Sequence, residues 1–354
     1  MAAVVAEAGA KDERRVLLES QCGSIEKLLL MLQKFFEGNR NEKKKDKDAG
    51  RKGMAKTYLA LRKHAIAAAE KIEHESTKFS LLLGNAKAGD TKMEAVETLC
   101  AALMAPCDTL VSCVAAAGSC GCTQDLAQCL LQETRTVLEA VRRLLVEAGK
   151  AQVKELAVFC GQVWSACKNF KRLPQSNRSC AKRVIMKAFI AVRDVTNDVA
   201  QDLEAIQNGE ALGDFLDFGD EDDTEGTEPS EEELEEWRKA LPVLRACQGL
   251  LRVAKETIDF VPAEAARVSL LEDATESCRH LESCTVEAGV TLLHPQKSEN
   301  VGESMAELKH AASTYAGKIL ELLHAAVPED DDGHRARQQL ETKMESCSEY
   351  FHIE

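Results

Sequence analysis

The sequence predicts an all-α protein, built as two helical bundles of about ten helices in total and joined by a flexible acidic linker. Three observations carry this prediction. Aromatic residues make up only 4% and prolines number seven, while Ala, Leu and Val dominate an apolar content of 45%. Ala and Leu lose little freedom in a helix, whereas strands draw on the β-branched and aromatic residues that are scarce here. Apolar residues recur with 3-4-3-4 spacing in segment after segment, and most prolines fall between those segments. At 354 residues the chain is long for one core, so two packed units are expected.

Taken in chain order, the first complete stripe is Met54, Tyr58, Leu61, Ala65, Ala68 and Ile72. Val96, Leu99, Leu103, Cys107, Leu110 and Val114 form the next, and Val153, Leu156, Cys160, Val163, Cys167 and Phe170 another. Ile185, Ala188, Val192, Val195 and Val199 follow, then Met305, Leu308, Ala312, Tyr315, Ile319, Leu322 and Ala326. Each is a one-sided apolar face that has to be covered by neighbouring helices, and none lasts long enough for a free coiled coil. The spacing predicts helices over 12–37, 54–84, 91–118, 123–149, 151–171, 177–208, 231–260, 263–288, 300–326 and 335–352. Thr91 with Glu94 and Ser230 with Glu233 have capping-box spacing, and Thr123 is placed to cap the helix after it. Pro174, Pro229, Pro262, Pro295 and Pro328 fall between helices, but Pro106 and Pro242 fall inside them and predict a kink or a break.

The resulting domain map has a disordered N-terminus at 1–11 and an N-terminal bundle at 12–208 with a mobile Lys-rich loop at 41–53. An acidic linker at 209–229 leads to a C-terminal bundle at 230–354. The linker holds Asp220, Glu221, Asp222, Asp223, Glu225 and Glu228 among glycines, so self-repulsion keeps it open.

Charge and cysteine usage narrow the function. Residues 1–208 carry 32 Lys/Arg against 25 Asp/Glu, and the remainder carries 13 against 34. The second half is at −21 and would repel a phosphate backbone, so direct nucleic-acid binding is not expected. No signal peptide or membrane span is recognised: the N-terminal apolar stretch is short and ends at Lys11-Asp12-Glu13, and no uninterrupted apolar run reaches about 18 residues. Of the 14 cysteines, Cys100/Cys107, Cys113/Cys120, Cys122/Cys129 and Cys160/Cys167 are each seven apart. Such pairs share a helix face but lie on the order of 10 Å apart, too far to bond to each other. They read as small apolar side chains of a reduced cytoplasmic or nuclear protein.

A search for chemistry finds no catalytic residues and no cofactor. There is no phosphate-binding Gly loop, no H-E-x-x-H and no nucleophile elbow, and no histidine pairs with another at i,i+4. Cys113, Cys120, Cys122 and Cys129 lack the short knuckle spacing of zinc sites, so helix packing is the expectation and no metal is assigned. Read from Glu221, the linker places Asp223, Glu225, Gly226 and Glu232 at calcium-loop positions, but Glu228 and Pro229 spoil the pattern. Ser230 precedes three glutamates and is a candidate phosphorylation site as well as an N-cap. Lys43-Lys44-Lys45-Asp46-Lys47 is a candidate nuclear-import signal, with a solvated loop as the alternative.

One motif goes further. Val163-Trp164-Ser165-Ala166-Cys167, followed by Phe170, Leu173-Pro174 and Asn177, resembles the signature of the cyclin-D-binding protein family. Leu241-Pro242-Val243-Leu244-Arg245-Ala246-Cys247, running on to Leu250-Leu251-Arg252, is similar to that family's C-terminal helix. The resemblance implies two helical domains in a cytoplasmic and nuclear protein with no catalytic residues. It implies D-type cyclins and helix-loop-helix transcription factors as partners, and a cell-cycle or transcriptional role. The competing readings are a vinculin- or catenin-like cytoskeletal adaptor and a thiol- or metal-dependent enzyme. Within the motif, Val163, Trp164, Ala166, Cys167, Phe170, Leu173, Pro174 and Asn177 are candidate structural or partner-binding positions, with Val163, Cys167 and Phe170 on the packing stripe. Trp164 is expected to anchor the core from the flank of its stripe, and Asn177 is a candidate helix cap.

Overall fold

The computed structural model describes residues 2–42, 54–85, 92–150, 155–208, 230–262, 268–293, 298–327 and 330–351. Among them are ten α-helices, one short 3-10 turn and no strand, as the composition and spacing predicted. The helices are α1 (Ala2–Glu42), α2 (Met54–Asn85), α3 (Met93–Gly118), α4 (Gln124–Gly149), α5 (Leu156–Phe170), α6 (Asn177–Gln207), α7 (Glu231–Phe260), α8 (Val268–Leu293), α9 (Ser298–Ala326) and α10 (Asp331–Ser348). The acidic linker with its calcium-like spacing, and the basic run from Lys43 to Lys47, lie outside the described residues.

The chain divides into two compact units, Met1–Asn177 and Arg178–Glu354. In the first, α2 packs on α3, α3 on α1, α1 on α4, α4 on α5 and α5 back on α2, closing a five-helix ring. Its core is made by the predicted stripes: Tyr58, Ala65, Ala68 and Ile72 from α2, Val96, Leu103, Cys107, Leu110 and Val114 from α3, and Leu156, Cys160, Val163, Cys167 and Phe170 from α5. Helix α3 has the length and apolar content to cross a membrane. Its apolar side chains are instead the ones that face α1, α2 and α4, as in the central helix of a bundle.

In the second unit α8 packs on α9, α7 on α9 and α10, and α10 also on α9. The predicted α9 stripe is buried from Leu308 through Tyr315 to Ala326.

Several boundaries differ from the sequence reading, among them the end of α8, at Leu293 rather than near 288. Helix α1 starts at Ala2 rather than near residue 12, where a disordered segment was expected. The first ten residues hold five alanines, the best helix former, and that propensity extends the helix upstream. Helix α6 was assigned to the N-terminal bundle but belongs to the second unit. Its Ala181, Ile185, Ala188, Val192, Val199 and Leu203 share one core with Trp237, Leu244, Cys278 and Leu281. Arg178 donates to the Val261 carbonyl at 3.1 Å, and the Lys182 ammonium pairs with Asp259 at 2.6 Å. A stripe's phase says which face of a helix is buried; it does not say against what.

The helix ends follow local chemistry. Thr123 Oγ1 accepts from the Leu126 amide at 3.2 Å, as expected of a cap. Ser230 and Glu233 form the reciprocal capping box. At α3 the expected Thr91/Glu94 box is replaced: the N-cap is Lys92, which makes no side-chain cap, and Thr91 lies outside the described residues. Helices α3 and α7 run on through Pro106 and Pro242.

Candidate functional site: the α5 motif and its exposed face

Helix α5 runs antiparallel to α2, and a series of side-chain contacts fixes the pairing. Cys160 Sγ lies 3.9 Å from Ser76 Oγ, and Lys171 Nζ reaches Glu73 at 3.0 Å and Glu70 at 3.6 Å. The last carbonyls of a helix have no partner of their own. Here Arg62 supplies one, its Nη2 donating to the Leu173 carbonyl at 2.7 Å and to that of Lys171 at 3.2 Å. The Tyr58 hydroxyl donates to the Pro174 carbonyl at 2.8 Å. The turn that Leu173-Pro174 makes after α5 is therefore held from two positions on α2. Asn177 closes the far side. Its Oδ1 accepts from the Thr123 amide at 2.8 Å and its Nδ2 donates to the Gly121 carbonyl at 3.0 Å. Asn177 thereby clamps the turn between α3 and α4. Gly121 sits there at φ 68°, a conformation that an L side chain rarely adopts.

Six motif residues, Val163, Ala166, Cys167, Phe170, Leu173 and Pro174, are buried. Trp164 does not. Its residue surface is 45% exposed, and the indole Nε1 donates to Thr77 Oγ1 on α2 at 3.1 Å. The reason is angular. Successive helical residues are about 100° apart, so the position after a buried Val163 points toward the bundle's edge. The ring lies at the α2–α5 seam with one face free. Gly161, nearly one turn earlier, is exposed and adds no bulk, with open space where a Cβ would stand. Leu81, one turn beyond Thr77 on α2, is 58% exposed. The outer face of the motif is thus an indole held in place by a hydrogen bond, with Gly161 and the exposed Lys168 about one turn to either side on α5.

The motif's thiols are not poised for chemistry. Burial pushes Cys167 up to about 12 and raises Cys160, so both stay protonated at neutral pH. The hydrogen bond to Glu73 raises Lys171 and fixes its charge. In the Cys113–Cys129 segment, Cys120 Sγ donates to the Ala116 carbonyl at 3.4 Å and Cys122 Sγ to that of Ala117 at 3.2 Å. Those two thiols serve the end of α3. None of the 14 cysteines is in a disulfide bond. Ser230 is exposed at the start of α7, its Oγ accepting from the Glu233 amide at 3.3 Å and donating to Glu233 Oε2 at 2.8 Å.

Sequence reasoning found the motif but not its supports. Tyr58, Arg62 and Thr77 lie about 90 to 115 positions upstream, and nothing in their local pattern marks them as partners of α5.

Comparison with known proteins bears on the same segment. Residues 65–205 match the family model described as Grap2 and cyclin-D-interacting, N-terminal. The match takes in the whole Val163–Asn177 motif. The zebrafish (Danio rerio) protein named cyclin-D1-binding protein 1 homolog is 24% identical over 265 residues, covering 68% of this chain and 72% of the relative. The resemblance that the motif pointed to therefore stands: the chain is similar to a cyclin-D1-binding protein homolog, and residues 65–205 match the N-terminal model of the cyclin-D-interacting family.

Proposed function

We propose that this chain is a non-catalytic interaction protein that binds D-type cyclins and helix-loop-helix transcription factors and restrains the processes they drive. The observation that carries the reading is Trp164, an indole fixed at the surface of the family-matched segment. Trp is enriched among the residues that dominate protein interfaces, because it offers a large rigid area at little entropic cost. Thr77 holds the ring in one orientation before any partner arrives, which lowers the cost of binding. The buried remainder of the motif gives that ring a stiff platform. The protein acts in the cytoplasm and the nucleus on this account, where such partners are found. Phosphorylation of Ser230 would set a dianion beside Glu231, Glu232 and Glu233 and loosen the first turn of α7.

A tagged full chain, with mass spectrometry of what it retains, tests the proposal. Recovery of a D-type cyclin or a helix-loop-helix factor, lost with Trp164→Ala, supports it. Recovery of actin and junction proteins in their place would move the chain to the vinculin- and catenin-like class.

A further inference from the structure

The second unit holds a constellation that the interaction reading does not use. His280 and Cys284 are four residues apart on α8 and share one of its faces, and Glu307 reaches them from α9. Their ligand atoms all lie within 4.8 Å of one another. Cys284 Sγ is 3.6 Å from His280 Nδ1 and 4.0 Å from its Nε2. A zinc ion bound to sulfur at about 2.3 Å and to nitrogen at about 2.05 Å in a tetrahedron requires those two atoms to be about 3.6 Å apart. The spacing already present on α8 is that of one tetrahedral edge.

We propose that His280, Cys284 and Glu307 form a zinc site that ties α8 to α9. The donor set is mixed. Thiolate and imidazole suit a borderline ion such as Zn²⁺, and a carboxylate from the second helix completes three protein ligands. The ligands stand on two regular helices that pack along their length. The register between those helices is also fixed by the contact of Thr291 Oγ1 with Ser304 Oγ at 3.3 Å. Geometry of this kind is set by the fold before the ion arrives.

Electrostatics favour a cation here. Cys284 is only 5% exposed, and the negative charge of Glu307 and Glu287 bears on it. A divalent ion offsets that charge, accepts the thiolate and releases one proton to solvent. Glu307 also lines a cleft of about 560 Å³ between α8 and α9, together with Glu287, Thr291, Glu303 and Ser304. With three protein ligands, the site differs from the four-cysteine arrangement considered for Cys113, Cys120, Cys122 and Cys129.

The full chain, reduced and freed of metal, can be titrated with Zn²⁺ against a chromophoric chelator, and with Co²⁺ to read thiolate coordination by absorption. One ion per chain is expected, with a sulfur-to-cobalt charge-transfer band that disappears in Cys284→Ala. His280→Asn and Glu307→Gln replace exposed side chains and leave the fold intact. Each should weaken Zn²⁺ binding by at least about tenfold, the low end of what even outer-shell changes cost a metal site. Zinc should also raise the melting temperature of the unaltered chain and not of these variants. Absence of stoichiometric binding would overturn the proposal. So would binding that survives all three substitutions, or that vanishes instead when Cys113, Cys120, Cys122 and Cys129 are replaced by alanine.

Discussion

The chain has two tryptophans, and the two units treat them oppositely. Trp237 on α7 is 7% exposed and belongs to the core of the second unit, whereas Trp164 on α5 is 45% exposed at the rim of the first. Composition and propensity do not separate them; phase does. Trp237 falls on the 3-4-3 series Leu234, Trp237, Leu241 and Leu244, so the rotation of the helix carries it inward with them. Trp164 is one residue past the buried Val163, and that single step of about 100° turns it outward. An aromatic beside a stripe is a surface group braced by the core, while an aromatic on the stripe is the core itself. The first is available to a partner. The second is not.

This contrast sets the order of expected effects. Trp237→Ala should cost about 3–5 kcal/mol, the range for an aromatic lost from a packed interior, measured by chemical denaturation of the full chain; a loss below about 1 kcal/mol would break the comparison. Burial also acts on the thiols of both units. It pushes Cys100 up to about 11, and Cys167 and Cys278 up to about 12. The folded thiols keep their protons where unfolded thiols, near 9.0, release them, so the stabilisation is complete below that pH and is lost as pH rises toward 11 or 12. Each such thiol should remove about 1.4 kcal/mol per pH unit in that window, and stability curves at stepped alkaline pH measure it. Asn177→Ala releases the Thr123 amide and the Gly121 carbonyl together and should cost about 1–2 kcal/mol. Ser230→Ala removes a capping box at an exposed helix start and should cost about 1 kcal/mol, with the helical content of α7 reduced at its first turn.

The helices were legible because each apolar stripe is a local pattern with a fixed period. Seven of the ten described helices begin and end within four residues of their predicted positions, and Thr123 and Ser230 cap as their spacing implied. What could not be read was the pairing of faces. Helix α6 carries the same kind of stripe as α5, yet the two lie in different units, because covering an apolar face depends on shape at long range. The motif around Trp164 was legible as a motif. The exposure of the ring follows from the offset of one residue, which its size and apolar character mask. The His280–Cys284 pair stands at i,i+4 in the sequence, a mixed pair that is neither a His–His pair nor a cysteine knuckle. Glu307, on another helix, carries no sequence signal of its own.

The central claim is that the α5 motif divides its labour, with a buried side that holds the bundle and one indole that faces a partner. Thermal unfolding of Trp164→Ala, measured beside its binding to a purified D-type cyclin, tests this most directly. The account predicts a stability change of less than about 1 kcal/mol, since the side chain gives up one surface hydrogen bond and partial burial, together with loss of cyclin binding. A melting temperature lowered as far as in Trp237→Ala, with binding retained by the fraction still folded, would contradict it.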